Sequence, residues 1–186
     1  YEIPKGTYEQ NEKLFVTSDI EGNFNAFYSM LIGNNIIDKD FNWTFDKGHL
    51  VVCGDMFDRG NDVVPCLWLL YSLEKKAELS GGKVHFLLGN HDVMNLQLDI
   101  RYVEQKYLQL AKILFEERED KLAYQNLMSA NNELIKWISS KNSVEKIGNS
   151  LFLHGGISPE LVDALFSIDE INETVREHIH ENLIKN

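Results

Sequence analysis

Short apolar runs alternate with helix-like stretches along the first half of the chain. The runs within residues 13–18, 49–53 and 84–88 are rich in β-branched and aromatic residues, which predicts buried strands. Between them, apolar residues recur at helical spacing from Phe24 to Ile32 and again after Asp62 and Pro65, up to Ser80-Gly81-Gly82. The repeated order of strand, polar turn and helix predicts successive βαβ units.

The second half of the chain has a different pattern. Residues 102–141 are rich in Leu, Lys, Gln and Glu, which predicts two helices, and residues 144–147 and 151–153 predict a hairpin around Gly148-Asn149-Ser150. Ser158-Pro159 predicts the start of a helix, and Ser167 with Glu170 predicts a capping box. We expect the last helix to bury one apolar face, made of Ile171, Val175, Ile179 and Leu183.

Polar clusters follow four of the predicted strands. They are Asp19 with Glu21; Asp55 with Asp58 and Arg59; Asn90 with His91 and Asp92; and His154. Because active sites of α/β proteins form where the carboxyl ends of strands meet, the clusters predict a shared site. One Asp after a strand is usually a turn or capping residue, but four clusters in series favour a site. Carboxylates, an amide and imidazoles are ligands for divalent metals, and cations would relieve the repulsion between close carboxylates.

Composition and charge narrow the class of protein. The chain has 186 residues, so we expect a single domain over residues 1–186, and its net charge of −11 argues against nucleic-acid binding. No apolar run is long enough to span a bilayer, and Cys53 and Cys66 are expected to be buried thiols. The chain begins at Tyr1 without a secretory signal, so the compartment stays open: the cytoplasm is favoured, with export if a signal was removed.

Four motifs carry a family resemblance. "SDIEGN" (18–23), "GDMFDRG" (54–60), "GNHD" (89–92) and "HGGISP" (154–159) resemble the calcineurin-like metallophosphoesterases, in particular the protein-phosphatase branch. The context around the third motif is most similar to the Shewanella-like protein phosphatases. The resemblance covers about residues 13–160 and implies an α/β metallo-dependent phosphatase fold, a mixed β-sandwich flanked by helices. Residues 102–141 would then be a helical insertion.

The resemblance also implies roles for individual residues. Asp19 and Glu21 would bind a first metal, Asp55 would bridge both metals, and Asn90 and His154 would bind the second, with Asn90 also near the phosphate. A hydroxide held between the metals would attack the phosphorus. The remaining roles are protonation of the leaving group by His91, orientation of His91 by Asp58, and phosphate binding by Arg59.

Arg101 is a further candidate for phosphate binding, with an ion pair to Asp99 or Glu104 as the alternative. Two divalent ions are implied as cofactors. Mn²⁺ is favoured, and Fe, Zn and Mg remain alternatives.

The chain departs from the family pattern at two places. Glu21 stands where the family has histidine, which predicts a shift away from an Fe–Zn pair toward Mn²⁺ or Mg²⁺, unless Glu21 is a turn residue facing solvent. The family's later Gly-His motif is absent, and His178 and His180 match it by residue type only; surface positions are favoured for both. We therefore expect a fold without its C-terminal strands, with a weak second metal site and impaired hydrolysis.

Three functions remain open from the sequence. The favoured one is a metal-dependent phosphomonoesterase acting on serine/threonine or tyrosine phosphoproteins. The second is a hydrolase of dinucleoside polyphosphates or other small nucleotides. The third is a metal-binding interaction module that has lost catalysis. The sequence does not determine the oligomeric state.

Overall fold

The computed structural model describes residues 1–9 and 12–185, with the side chains of residues 181–185 left aside. It contains two three-stranded sheets and eight helices within these residues. In chain order the elements are β1 (Thr7–Tyr8), β2 (Leu14–Thr17), α1 (Phe24–Gly33), β3 (His49–Cys53), α2 (Val63–Leu79), β4 (Lys83–Leu87), α3 (Asn90–Leu96), α4 (Gln105–Phe115), α5 (Asp120–Leu127), α6 (Glu133–Ser139), β5 (Val144–Ile147), β6 (Ser150–Leu153), α7 (Pro159–Asp163) and α8 (Ile168–Lys185).

The first sheet is parallel, in the order β2-β3-β4, and confirms the predicted βαβ units. Successive side chains of a strand point to opposite faces, and the central strand β3 is buried on both faces. Leu50 and Val52 belong to the large core shared with the helices, whereas Val51 and Cys53 pack in a smaller cluster with Ile147 of the second sheet. Burial on both sides explains why β3 is a continuous apolar run.

The second sheet is mixed, in the order β1-β5-β6. Strand β1 pairs with β5 in parallel, and β5 pairs with β6 antiparallel through the predicted hairpin. The two sheets share the smaller cluster, and helices cover the other face of the parallel sheet. The predicted fold class, a mixed β-sandwich flanked by helices, is confirmed, although β1 was not predicted.

The helices that follow Tyr102 correct one prediction. Residues 102–141 contain three helices, α4, α5 and α6, so the prediction of two was wrong. A break at Met128–Asn132 separates the last two, and the Asn132 side chain caps α6 by accepting a hydrogen bond from Leu134 N. That this segment is an insertion in a single domain over residues 1–186 stays a prediction.

The predicted helix caps agree with the structure, whereas the predicted apolar face of α8 is buried in part, with Ile171 half-buried. The Ser158 hydroxyl accepts a hydrogen bond from Leu161 N, and Ser167 with Glu170 forms the capping box. On α8, Ile179 is buried and Val175 packs against the core, while the side chain of Leu183 lies outside the described part. Both cysteines are buried free thiols.

A buried polar group connects the two sheets at the end opposite the polar clusters. The Nδ1 atom of His85 donates to Glu145 Oε2 at 2.6 Å, and its Nε2 lies 3.0 Å from Nδ1 of His49. The second carboxylate oxygen of Glu145 accepts from Asn142 at 2.8 Å. His49 and His85 therefore have a structural role. Among the described helices, none has both the length and the apolar character needed to cross a bilayer.

Candidate active site

The loops that follow β2 and β3 lie side by side and bring their acidic residues together. Backbone hydrogen bonds join Asp19 N to Gly54 O at 3.1 Å, and Glu21 N to Asp55 O at 2.9 Å. A third bond, from Gly22 N to Met56 O at 3.1 Å, continues the series. These bonds extend the β2–β3 pairing beyond the strands, so the side chains of the first two polar clusters meet at the carboxyl edge of the sheet.

Five residues of these loops have a left-handed backbone. The φ angle is 54° at Asp19, 45° at Glu21, 57° at Asp55, 71° at Asp58 and 55° at Arg59. A residue with a side chain is disfavoured in this region by about 1–2 kcal/mol, with Asp among the more tolerant types. Such conformations concentrate at functional sites and persist because the surrounding structure holds them.

The Asp92 carboxylate holds the β3 loop against the start of α3. It accepts hydrogen bonds from the backbone N–H groups of Gly89 and Asp55, both at 2.8 Å, and from Met56 at 3.0 Å and Phe57 at 3.4 Å. Burial raises the pKa of Asp92 to about 7, while the backbone donors act in the opposite direction. The carboxylate thus ties the loop that carries Asp55 to the helix that carries Asn90 and His91.

Close backbone approach between the same two loops requires glycine. A Cβ atom on Gly89 would lie 2.2 Å from Asp55 Oδ1 and 2.6 Å from Asp55 N, where there is no room for it. A Cβ on Gly54 would lie 2.5 Å from Gly89 N, and Gly54 also has a φ of +82°. The close approach of the two loops therefore explains why the motifs have glycine at positions 54 and 89.

Two groups of potential metal ligands share Asp55. Donor atoms of Asp19, Asp55 and His154 lie within 4.8 Å of one another, and so do those of Glu21, Asp55 and His91. These carboxylate and imidazole donors fit divalent cations such as Mn²⁺, Fe²⁺ or Zn²⁺, and cations would offset the repulsion between the acids. The side chains that the structure brings together therefore fit a divalent metal centre where the sequence predicted one.

The orientation of His154 adds to this fit. Its Nδ1–H donates to Cys53 O at 2.7 Å, which leaves Nε2 directed at Asp55, 3.2 Å from Oδ2. A metal-binding histidine commonly donates its second ring N–H to a backbone carbonyl in this way. Asn90, the first residue of α3, is exposed and lines a cleft of about 660 Å³ together with His154.

His91, whose ring belongs to the second ligand group, also forms a buried pair with Asp58. Nδ1 of His91 lies 2.7 Å from Asp58 Oδ2, and the two side chains are 5% and 1% exposed. The carboxylate accepts the Nδ1 proton. The other ring nitrogen, Nε2, lies 3.2 Å from the guanidinium of Arg59. Arg59 also forms an ion pair with Glu21, whose side chain is largely covered, so Glu21 does not simply face solvent.

Two predicted candidates lie elsewhere. Arg101 makes three hydrogen bonds from its guanidinium to the Asp99 carboxylate and is 70% exposed, which is the ion pair that the sequence left as an alternative. His178 and His180 are exposed on α8, as the sequence favoured. His178 lines the cleft of Asn90 and His154, but it is not part of either ligand group.

Two residues behind the pair were missed by sequence reasoning. Asn95 Nδ2 donates to the free Asp58 oxygen, Oδ1, at 2.9 Å, and Tyr124 donates its hydroxyl to Asn95 Oδ1 at 2.6 Å. Asn95 follows His91 by one helical turn, so recognising α3 would have placed it beside the pair. Tyr124 lies on α5, and no local pattern pointed to it.

Comparisons with known proteins agree with this geometry. The family model described as calcineurin-like phosphoesterase matches residues 12–186. Shewanella-like protein phosphatase 2 of Arabidopsis thaliana is 26% identical over 94% of this chain and 54% of its own, and Shewanella-like protein phosphatase 1 of Plasmodium berghei is 28% identical over 92% and 46%. The crystal structure of a cold-active protein-tyrosine phosphatase from a psychrophilic Shewanella species superposes with a TM-score of 0.88, at 38% identity, over 95% of this chain and 52% of that one.

The match extends beyond the four motifs. The chain spans about half the length of these relatives, and the family model matches residues 12–186, which include the parallel sheet and the loops that carry the ligand groups. The sequence, the fold and the arrangement of acids and histidines thus lead to the same result: the chain belongs to the calcineurin-like phosphoesterase family, with Shewanella-like protein phosphatases among its relatives.

Proposed function

We propose that this chain hydrolyses phosphate monoesters of phosphoproteins, at serine/threonine or tyrosine residues, with the help of divalent metal ions. The observation that carries the proposal is the buried His91–Asp58 pair, whose imidazole lies among the carboxylates of the two potential ligand groups that share Asp55. A protein that only bound metal would have no use for an oriented imidazole next to a guanidinium. The similarity to protein phosphatases supports a protein substrate.

The residues available for metal binding are Asp19, Glu21, Asp55, Asn90 and His154, with Asp55 common to both ligand groups. When bound, two divalent cations would polarise the phosphate ester and lower the pKa of a water molecule that attacks it. We favour Mn²⁺, since three of these five ligands are carboxylates.

The remaining residues act on the substrate. Asp58 accepts the Nδ1 proton of His91 and so fixes the ring with Nε2 toward the guanidinium of Arg59, where it would protonate the departing oxygen of a phosphate bound by Arg59. Arg59 binds the phosphate through its planar set of donors. In the structure its guanidinium contacts Glu21 and His91, so it lies beside the proton donor and a potential metal ligand.

A substrate panel tests the proposal. The chain is assayed with Mn²⁺ against phosphoserine, phosphothreonine and phosphotyrosine peptides and against dinucleoside polyphosphates, next to Asp58→Asn and the exposed Asp40→Asn as control. The amide cannot hold the Nδ1 proton as a carboxylate does, so Asp58→Asn should lower kcat on peptides by about 10²- to 10⁴-fold. Asp40→Asn should leave it unchanged.

Other results would contradict the proposal. Hydrolysis of nucleotides alone would indicate a small-nucleotide hydrolase. Mn²⁺ binding measured by calorimetry without turnover of any ester would indicate an interaction module. A parent enzyme whose rate is insensitive to Asp58→Asn would remove the proton-donor role.

A further inference from the structure

A buried chain of hydrogen bonds connects the proposed proton donor to helix α5. It starts at His91, passes through both oxygens of Asp58 and the side-chain amide of Asn95, and ends at the hydroxyl of Tyr124. The three bonds measure 2.7, 2.9 and 2.6 Å in this order. All four residues are at most 4% exposed, so solvent does not compete for these bonds.

The direction of each bond is fixed by its partners. Nδ2 of Asn95 donates to Asp58 Oδ1 and also to His91 O at 2.8 Å, which uses both of its protons. The amide oxygen must therefore accept, and the Tyr124 hydroxyl must donate. Burial and the charge of Asp58 raise the pKa of Tyr124, so the hydroxyl keeps its proton as a donor.

The space around this chain is apolar. A cavity of about 240 Å³ lies beside Asp58, Asn95 and Tyr124 and is lined mainly by aliphatic side chains such as Leu67 and Leu127. The hydroxyl of Tyr124 and the amide of Asn95 meet on the buried side of this space, since the two residues are 4% and 0% exposed. Without that hydroxyl, Asn95 Oδ1 would lose its donor, and the amide would be free to rotate away from Asp58.

We propose that Tyr124 is a positioning residue for the reaction: its hydroxyl fixes the Asn95 amide, which fixes the Asp58 carboxylate and through it the His91 ring. The inference rests on the proposed function, because it assigns Tyr124 to the orientation of the proton donor. The helical segment after Tyr102 would then help to orient the proton donor. Helix α5 supplies the outermost group that holds the acid in place.

The test compares two tyrosines that line the same cavity. Tyr124→Phe removes the hydroxyl of the chain, and Tyr107→Phe removes a buried hydroxyl that donates to Asn61 O at 2.9 Å and does not contact Asn95 or Asp58. Each variant is assayed with Mn²⁺ on a phosphoserine peptide, whose leaving group needs a proton, and on 4-nitrophenyl phosphate, whose leaving group departs without one.

We expect Tyr124→Phe to lower kcat on the phosphoserine peptide by about tenfold, with less than about a twofold loss on 4-nitrophenyl phosphate and no change in KM. Tyr107→Phe should change both substrates by the same factor. A general loss of folding would also affect both substrates equally. Equal losses for Tyr124→Phe, or no loss on either ester, would overturn the inference.

A second measurement does not depend on turnover. In ¹H–¹⁵N spectra of the parent, the His91 Nδ1–H proton bonded to Asp58 should be protected from exchange with water, and His91→Gln identifies its signal by removing it. Tyr124→Phe should accelerate the exchange, and Tyr107→Phe should not. If the parent hydrolyses neither ester, the proposed function fails, and this signal alone decides: unchanged exchange in Tyr124→Phe refutes the positioning role.

Discussion

Replacing Asp92 by alanine should destabilise the protein by about 3 kcal/mol. The Asp92 carboxylate is completely buried and accepts hydrogen bonds from four backbone N–H groups of two loops. Alanine offers no acceptor, so these donors would remain inside the protein without a partner. The loop that carries Asp55 would then be free to separate from the first turn of α3.

The magnitude follows from the bonds. A buried donor without a partner costs about 1–3 kcal/mol, and three of the four bonds are 3.0 Å or shorter. Water that enters the space left by the carboxylate would restore part of this loss, and the variant no longer buries a charge. About 3 kcal/mol is therefore the expected net loss in the free energy of unfolding.

Urea unfolding followed by circular dichroism measures the effect at about pH 8, above the Asp92 pKa of about 7. Asp163→Ala serves as control, because this carboxylate is exposed and its removal should change stability by less than about 0.5 kcal/mol. A loss below about 1 kcal/mol for Asp92→Ala, with an unchanged slope in urea, would refute the assignment of Asp92 as the link between the loops.

Three further predictions concern the same region. Because burial raises the pKa of Asp92 to about 7, the folded state keeps a proton that the unfolded state has lost, and stability falls as the pH rises from about 4 to 7. Asp92→Asn should reduce this dependence of stability on pH, measured by urea unfolding at several pH values. An equal pH dependence in the parent and the variant would contradict the raised pKa. Gly89→Ala should abolish Mn²⁺ binding in calorimetry, since its Cβ would collide with Asp55, whereas Gly33→Ala, with nothing within 4 Å, should bind normally. Glu21→His should shift the metal content toward Fe and Zn; unchanged metal content and activity would exclude Glu21 as a ligand.

The parallel sheet could be predicted because its signals are local. Each strand is a continuous apolar run, and each is followed by a turn and an amphipathic helix. Strand β1 has only two residues, and its partner β5 lies more than a hundred positions later, so no local pattern marks it. The break between α5 and α6 was missed although Asn132 is a typical capping residue, because the surrounding helical composition dominated the pattern.

The residues of the candidate site also divide into those with a local signal in the sequence and those without one. The acids and His91 were found because they come after strands of the parallel sheet, whose carboxyl ends lie at one edge, and His154 because it directly follows β6 of the second sheet. Tyr124 and Arg101 show the limit of this reasoning. The hydroxyl of Tyr124 reaches Asn95 across 29 positions of the sequence, and the guanidinium of Arg101 turns to Asp99 two residues away. The first contact depends on tertiary packing, whereas the second is a local ion pair that the sequence offered as one of two alternatives.

The left-handed backbone of the loops has a consequence for how this protein can evolve. At Asp19 and Arg59, glycine would fit the local conformation better than the residues present, so selection for stability alone would remove two side chains to which the proposed function assigns metal and phosphate binding. Improvements in thermal tolerance have to come from positions away from the cleft, such as the open face at Gly33, where a methyl group meets nothing. A search for stabilising mutations should therefore find inactive variants among the most stable ones.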